Sequence, residues 1–288
     1  MIPAANILQW ADHAPWPAQR QIEQDLIICR ALCDIYSTPF LAERLAFRGG
    51  TAINKLLFQT PLRYSEDIDL VQVKAEPIGT TIDALRETLA WLGDFRRDSA
   101  KHSIHFIFKF FPEDATGDAA LNLKIEINTR EHDALFGYRK VPFSMTNDWH
   151  SASAEILSFD PNELFGTKLR AFLQRRKNRD LFDLGEGLRR LDLDPDKVVA
   201  AFHHYLDLEG KPISRAESEE RTLEKLQYDL IEDVTPLLPP GVEFTATMAV
   251  AALEQVWRQC ISRLKGDPWK STPETLEEIR KIYPLFLS

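Results

Sequence analysis

Phe47-Arg48-Gly49-Gly50-Thr51, followed after an apolar segment by Arg63-Tyr64-Ser65-Glu66-Asp67-Ile68-Asp69-Leu70-Val71-Gln72-Val73, decides how the rest of the chain is read. The first string is a two-glycine turn. The second is a strand with acids at i and i+2, so Asp67 and Asp69 share one face while Ile68 and Leu70 take the other. Glycines let backbone N–H groups approach phosphate oxygens, and paired carboxylates can hold the Mg2+ ions that phosphoryl and nucleotidyl transfer require. Either string alone has a plainer reading, as an ordinary strand-to-helix turn or a strand end with solvated acids. Together they point to chemistry on nucleotides.

Working outward, Leu45 to Phe47 reads as a short strand feeding the turn, and Thr51 to Phe58 as a helix that Pro61 ends. The N-terminus of that helix faces the turn, where its dipole and first amides favour a phosphate. Upstream, Pro17 to Tyr36 carries apolar residues at helical spacing, with Cys29 and Cys33 as small core residues. Downstream, Ile82, Leu85, Leu89 and Leu92 form a helical stripe, and Ser103–Phe111 and Ala119–Asn128 alternate as strands around a Pro112–Asp118 loop. Lys124, Glu126 and Asn128 share the polar face of the second of these strands. If it neighbours the Asp67/Asp69 strand, Glu126 becomes a third carboxylate at the site. His102 and His105, like His203 and His204, lack metal-type spacing and read as structural.

From Asp160 the pattern turns helical, beginning with the Asp160-Pro161-Asn162-Glu163 start signal. The expected fold class is α+β: a mixed sheet with flanking helices in residues 1–154, then an all-helical half in residues 155–288. A hydrophobic content of 44% supports a packed core, and a net charge of −9 excludes a surface that grips nucleic acid all over. Within this acidic chain, Lys168 to Arg190 holds eight basic residues against three acids. That stretch is either a solvated face or a local polyanion-binding patch. Three cysteines without metal spacing, no leader pattern and no apolar run of about 18 residues give the expectation of a cytoplasmic protein without a membrane segment.

The turn, the Asp67-x-Asp69 pair, Leu123-Lys124-Ile125-Glu126-Ile127-Asn128, and Glu163 to Lys168 running on to Arg176-Lys177-Asn178-Arg179-Asp180-Leu181-Phe182-Asp183 together resemble the AbiEii/MenT-type nucleotidyltransferase toxins. The matching motifs span about residues 47–184. The resemblance implies a nucleotidyltransferase-like sheet, with the helical half completing the active-site cleft. It implies Mg2+ on Asp67, Asp69 and Glu126, and an NTP substrate cradled by Gly49, Gly50, Thr51 and Ser65. It places Lys168 and Arg179 on the phosphates and makes Asp180 the later acidic motif. A lysine such as Lys168 otherwise snorkels to water, and an acid such as Asp180 otherwise caps a helix or forms a local ion pair.

The resemblance implies one expected activity: transfer of NMP from an NTP to the 3' end of tRNA, blocking translation, by a monomeric toxin with a cognate antitoxin. The alternatives are nucleotide transfer to a protein side chain and a non-catalytic module that binds RNA or a partner on the same fold.

Overall fold

The computed structural model describes residues 2–99, 103–113 and 120–288. His102, most of the loop after Pro112 and Ala119 lie outside the described residues. The chain divides into two compact units, residues 1–160 with 237–241, and residues 161–236 with 242–288.

The first unit is built on a seven-stranded sheet in the order β3-β4-β5-β2-β1-β7-β6. Its strands are β1 Leu45–Arg48, β2 Asp67–Gln72, β3 Phe95–Ser99, β4 Ser103–Phe110, β5 Leu121–Asn128, β6 Tyr138–Met145 and β7 Ala152–Phe159. Strand β2 runs parallel to β5 and β1 parallel to β7, and the other neighbours are antiparallel. Helices α1 (Ala4–Trp10), α2 (Gln19–Ser37), α3 (Pro39–Ala42), α4 (Gly49–Leu56) and α5 (Gly79–Thr88) belong to the same unit. The division at Asp160 lies beyond the boundary expected after residue 154, because β7 pairs with both β1 and β6 and so belongs to the sheet.

Helix α2 is the centre of the packing. Leu26, Ile28, Leu32, Cys33 and Ile35 are wholly buried, and Cys29 and Cys33 are free thiols inside the core. The alternation in β5 works as expected: Leu123, Ile125 and Ile127 are buried, while Lys124 and Glu126 remain partly exposed.

One buried polar cluster fixes α4, and hence the glycine turn at its start. Asp25 on α2 accepts hydrogen bonds from the Trp10 indole at 3.0 Å and the Trp16 indole at 3.1 Å, and pairs with the Lys55 ammonium of α4 at 2.8 Å. The side chains of Lys55 and Asp25 are 5% and 3% exposed, so the pair is shielded from water and salt. Burial alone would lower the Lys55 pKa, but Asp25 and Cys29 more than reverse that, and the lysine stays charged.

The second unit is helical throughout: α6 Pro161–Gln174, α7 Asn178–Arg190, α8 Pro195–Glu209, α9 Arg215–Glu224, α10 Ala246–Gln259 and α11 Thr272–Ile282. Asp194 caps α8 through the Asp196 amide, with Pro195 in the first turn, and Ser214 and Thr245 cap α9 and α10.

Candidate active site

In the first unit the sheet register gathers the expected acids. Asp69 stands opposite Arg48 of β1 on one side and opposite Glu126 of β5 on the other, and Glu126 faces His105 of β4. A single row across four strands therefore reads Arg48, Asp69, Glu126, His105, and residues paired in this way share a face. One step along, Asp67 pairs with Lys124. The condition attached to Glu126 is met, since its strand neighbours the aspartates. On the opposite face Ile68 and Leu70 are sealed in the core at 0% and 1% exposure, which fixes the register of the acids.

The glycine turn lies directly against this row. Gly49 has φ +81°, and a Cβ built on it would come within 2.1 Å of Asp69 Oδ2. Only a residue without a side chain lets the backbone come so close to the carboxylate. Gly49→Ala is expected to force the Asp69 side chain aside and strain the turn, costing about 1–3 kcal/mol of stability together with most of the activity. Urea unfolding and a transfer assay on the same preparation check both effects.

Thr51 and Ser65 join the turn to the strand. The Thr51 hydroxyl donates to the Asp67 carbonyl at 2.5 Å and lies 2.7 Å from Ser65 Oγ, so Ser65 supplies the proton of the second bond. Both hydroxyls thus hold the geometry of β2. By the geometry of a helix start, the backbone N–H groups of Gly49, Gly50 and Thr51 lack intrahelical partners and are suited to an anion.

Several positioning residues carry no sequence motif. Asn54, buried on α4, donates to the Gly50 carbonyl at 3.0 Å and accepts from the amides of Leu62 and Arg63, shaping the loop that delivers the acids. Gln24 on α2 donates to the carbonyls of Glu66 and Asn122, tying together the entries of β2 and β5. Their signal in the sequence was a polar residue interrupting an apolar helical stripe. Arg48 forms an ion pair with Glu131.

Lys124 sets the electrostatics of the row. Its ammonium is 2.7 Å from Glu126 Oε2, and His105 Nε2 lies 3.3 Å from the same oxygen. Burial would raise the Glu126 pKa, but the hydrogen bond and charge of Lys124 hold it below the ordinary carboxylate value. Conversely, burial would lower Lys124, and Glu126, Asp67 and Asp69 raise it. A cavity of about 790 Å³ opens beside Asp67, Lys124, Asn122 and Glu66.

Among the described residues, no group of three or more His, Cys, Asp or Glu side chains is gathered to cage a metal. The donors present still fit Mg2+, which is commonly held by one or two carboxylates, substrate phosphates and water. Asp67 and Asp69 are the carboxylates that suit it, with Glu126 engaged by Lys124.

In the helical unit, Lys168, Asp180, Asp183 and Arg175 form a second ionic cluster. The Lys168 ammonium, 6% exposed, is 3.1 Å from Asp180 and 2.9 Å from Asp183. Arg175 reaches both Asp180 oxygens, at 2.7 and 2.9 Å. This cluster ties α6 to α7. Arg179 lies half-buried beside Asp180 in the first turn of α7. Burial would raise the Asp180 pKa, but Lys168 and Arg175 hold it well below the usual range. A folded-state value below the unfolded one, about 3.9, means that its stabilisation is complete above that value and is lost as pH falls through the folded one. Asp180→Asn is expected to cost roughly 3 kcal/mol at pH 7, the low end for a broken buried pair because Asp183 still holds Lys168. It should also flatten the acid limb of stability, as urea unfolding from pH 7 to pH 2 would show.

No curated protein matches the chain in sequence. Among solved structures, MenT4, a nucleotidyltransferase toxin from Mycobacterium tuberculosis H37Rv, matches with a TM-score of 0.63 and 15% identity over 98% of this chain and 99% of that one. JHP933 from Helicobacter pylori matches with a TM-score of 0.51 and 16% identity over 93% and 98% of the two chains. At such identities the likeness is one of fold. The family described as nucleotidyl transferase AbiEii toxin, type IV TA system, matches residues 30–277. The chain belongs to that family, and its fold is that of the nucleotidyltransferase toxins.

Proposed function

From this family membership we propose that the protein transfers NMP from an NTP to the 3' end of tRNA, with Asp67 and Asp69 as the Mg2+ ligands, and thereby stops translation until an antitoxin intervenes. The observation that carries the reading is the packing of the Asp69 carboxylate against Gly49, which brings an acid of the strand and the anion-suited helix start to one place.

Bound Mg2+ would neutralise phosphate charge and orient the triphosphate. The chain's own groups do the rest. Amides at the start of α4 receive phosphate oxygens, and Thr51 and Ser65 keep β2 at the distance that contact needs. Lys124 keeps Glu126 ionised beside the aspartates. The RNA 3' oxygen forms a bond to the α-phosphorus, the bond to pyrophosphate breaks, and the hydroxyl proton passes to a carboxylate of the row. In the helical unit Lys168 and Arg179 serve to neutralise phosphate charge, with Asp180 and Asp183 orienting the Lys168 ammonium.

The test is incubation of the purified chain with total tRNA, Mg2+ and each radiolabelled NTP in turn. Label at tRNA 3' ends is the expected result. Label on protein, or none with any NTP, overturns the proposal.

A further inference from the structure

The helical unit contains a basic pocket that the chemistry above does not use. It lies where the end of α6, the turn into α7, the end of α9 and the 3-10 turn Lys225–Gln227 meet, and it encloses about 210 Å³. Arg175, Arg176, Arg221 and Lys225 line it, against the single acid Glu224. Tyr228 forms one wall, half exposed, with the Arg176 guanidinium 4.3 Å from its ring centre. The Lys225 ammonium lies 4.6 Å from the Phe172 ring and donates to the Arg175 carbonyl at 2.9 Å.

Two of these cations are held in ion pairs. Arg175 binds Asp180, and Arg221 binds Glu217 and the Leu173 carbonyl. Arg176 stacks on Tyr228. The cavity is smaller than the roughly 300 Å³ at which pockets begin to hold a whole drug-sized ligand, so it suits one unit of a longer chain. Cations interleaved with an exposed aromatic ring are how proteins hold single-stranded nucleic acid, the cations taking the phosphates and the ring taking a base face. An acidic polypeptide would use the cations but has no need of the ring.

We infer that this pocket is a subsite for one nucleotide of a single-stranded RNA, its phosphate on Arg176, Arg221 and Lys225 and its base against Tyr228. The inference rests on the proposed function, since it gives the RNA acceptor a place on the helical unit. The ionisation of Lys225 supports it. Burial and the like charges of Arg176 and Arg221 push its pKa down to about 8, against the opposing pull of Asp180 and Glu224. A phosphate beside it removes that disadvantage and restores the full charge.

The experiment is fluorescence anisotropy of a 5'-labelled single-stranded RNA with the full chain, without NTP. Tyr228→Ala is expected to weaken binding by about tenfold. Arg176→Gln and Lys225→Gln should each weaken it by about three- to tenfold and reduce the salt slope by about 0.7. Calorimetry at pH 8 in buffers of different ionisation enthalpy should show uptake of about half a proton on binding, absent in Lys225→Gln. Unchanged RNA affinity in Tyr228→Ala and Arg176→Gln, both exposed positions, overturns the subsite whatever Lys225→Gln does to folding. So does weakening confined to NTP or pyrophosphate binding, or binding of polyglutamate in place of RNA. The two readings fail separately. If tRNA is labelled while these variants bind RNA normally, only the subsite falls. If the variants lose RNA but no NTP is ever transferred, only the proposed reaction falls.

Discussion

Asp69→Asn is expected to reduce nucleotide transfer by more than about a hundredfold, beyond the loss that follows removal of a mere outer-shell partner of a metal, while leaving the fold as stable as before or slightly more so. The asymmetry follows from the like charges around Asp69, which stands opposite Glu126 in the row and shares its face of β2 with Asp67 one step along. Their mutual repulsion opposes folding, relieved in part by Lys124. Removing one charge eases that repulsion and keeps the shape that Gly49 accommodates. Transfer rates measured alongside urea midpoints separate this outcome from a structural role. A midpoint falling in step with activity would mean that Asp69 serves the fold and not the reaction.

The second large effect belongs to stability. Asp25→Ala should destabilise the first unit by about 3–5 kcal/mol, because it strands a buried ammonium and two indole donors together. Lys55→Met should cost less, since Asp25 keeps both indoles. Asp25→Leu combined with Lys55→Met should recover part of the loss, as an apolar replacement of a whole buried pair does. Urea unfolding of the three variants tests the order. If Asp25→Ala and Lys55→Met were equally mild, the pair would be a bystander and α4 would be held by its apolar face alone.

Much of the first unit was legible because its central strands alternate cleanly. Strands β1, β2, β4 and β5 were all expected from the spacing of residues such as Phe106, Phe108, Leu123 and Ile125. The two edge strands were not. Strand β3 offers Phe95 as its single large apolar residue, and β6 carries Arg139, Lys140 and Pro142. Charges and proline are what an edge tolerates, and they erase the period-two signal. Strand β7 alternates in small residues, Ala152 and Ala154, against Ser153 and Glu155, too faintly to stand out beside the strong helical start at Asp160.

At the site, the acids and the turn were visible because their chemistry is local in sequence. Their supports were not, since Asn54, Gln24 and Lys124 act through partners whose proximity only the folded chain creates. Asp180 and Lys168 were visible as motif residues, but nothing in their spacing announced that Arg175 and Asp183 would enclose them.

The short return of residues 237–241 to the first unit has a consequence for how the protein is made. The Tyr64 amide bonds the Leu237 carbonyl at 2.8 Å, and Leu238 is 3% exposed. A ribosome that has delivered the whole sheet has therefore not yet supplied the last piece of the body that contains it, and must translate most of the helical portion first. At elongation speeds of about 5–20 residues per second the sheet waits several seconds for that strap. A nascent chain halted before Leu237 would expose the surface the strap covers, so the loop carrying Tyr64 towards the acids settles late in synthesis.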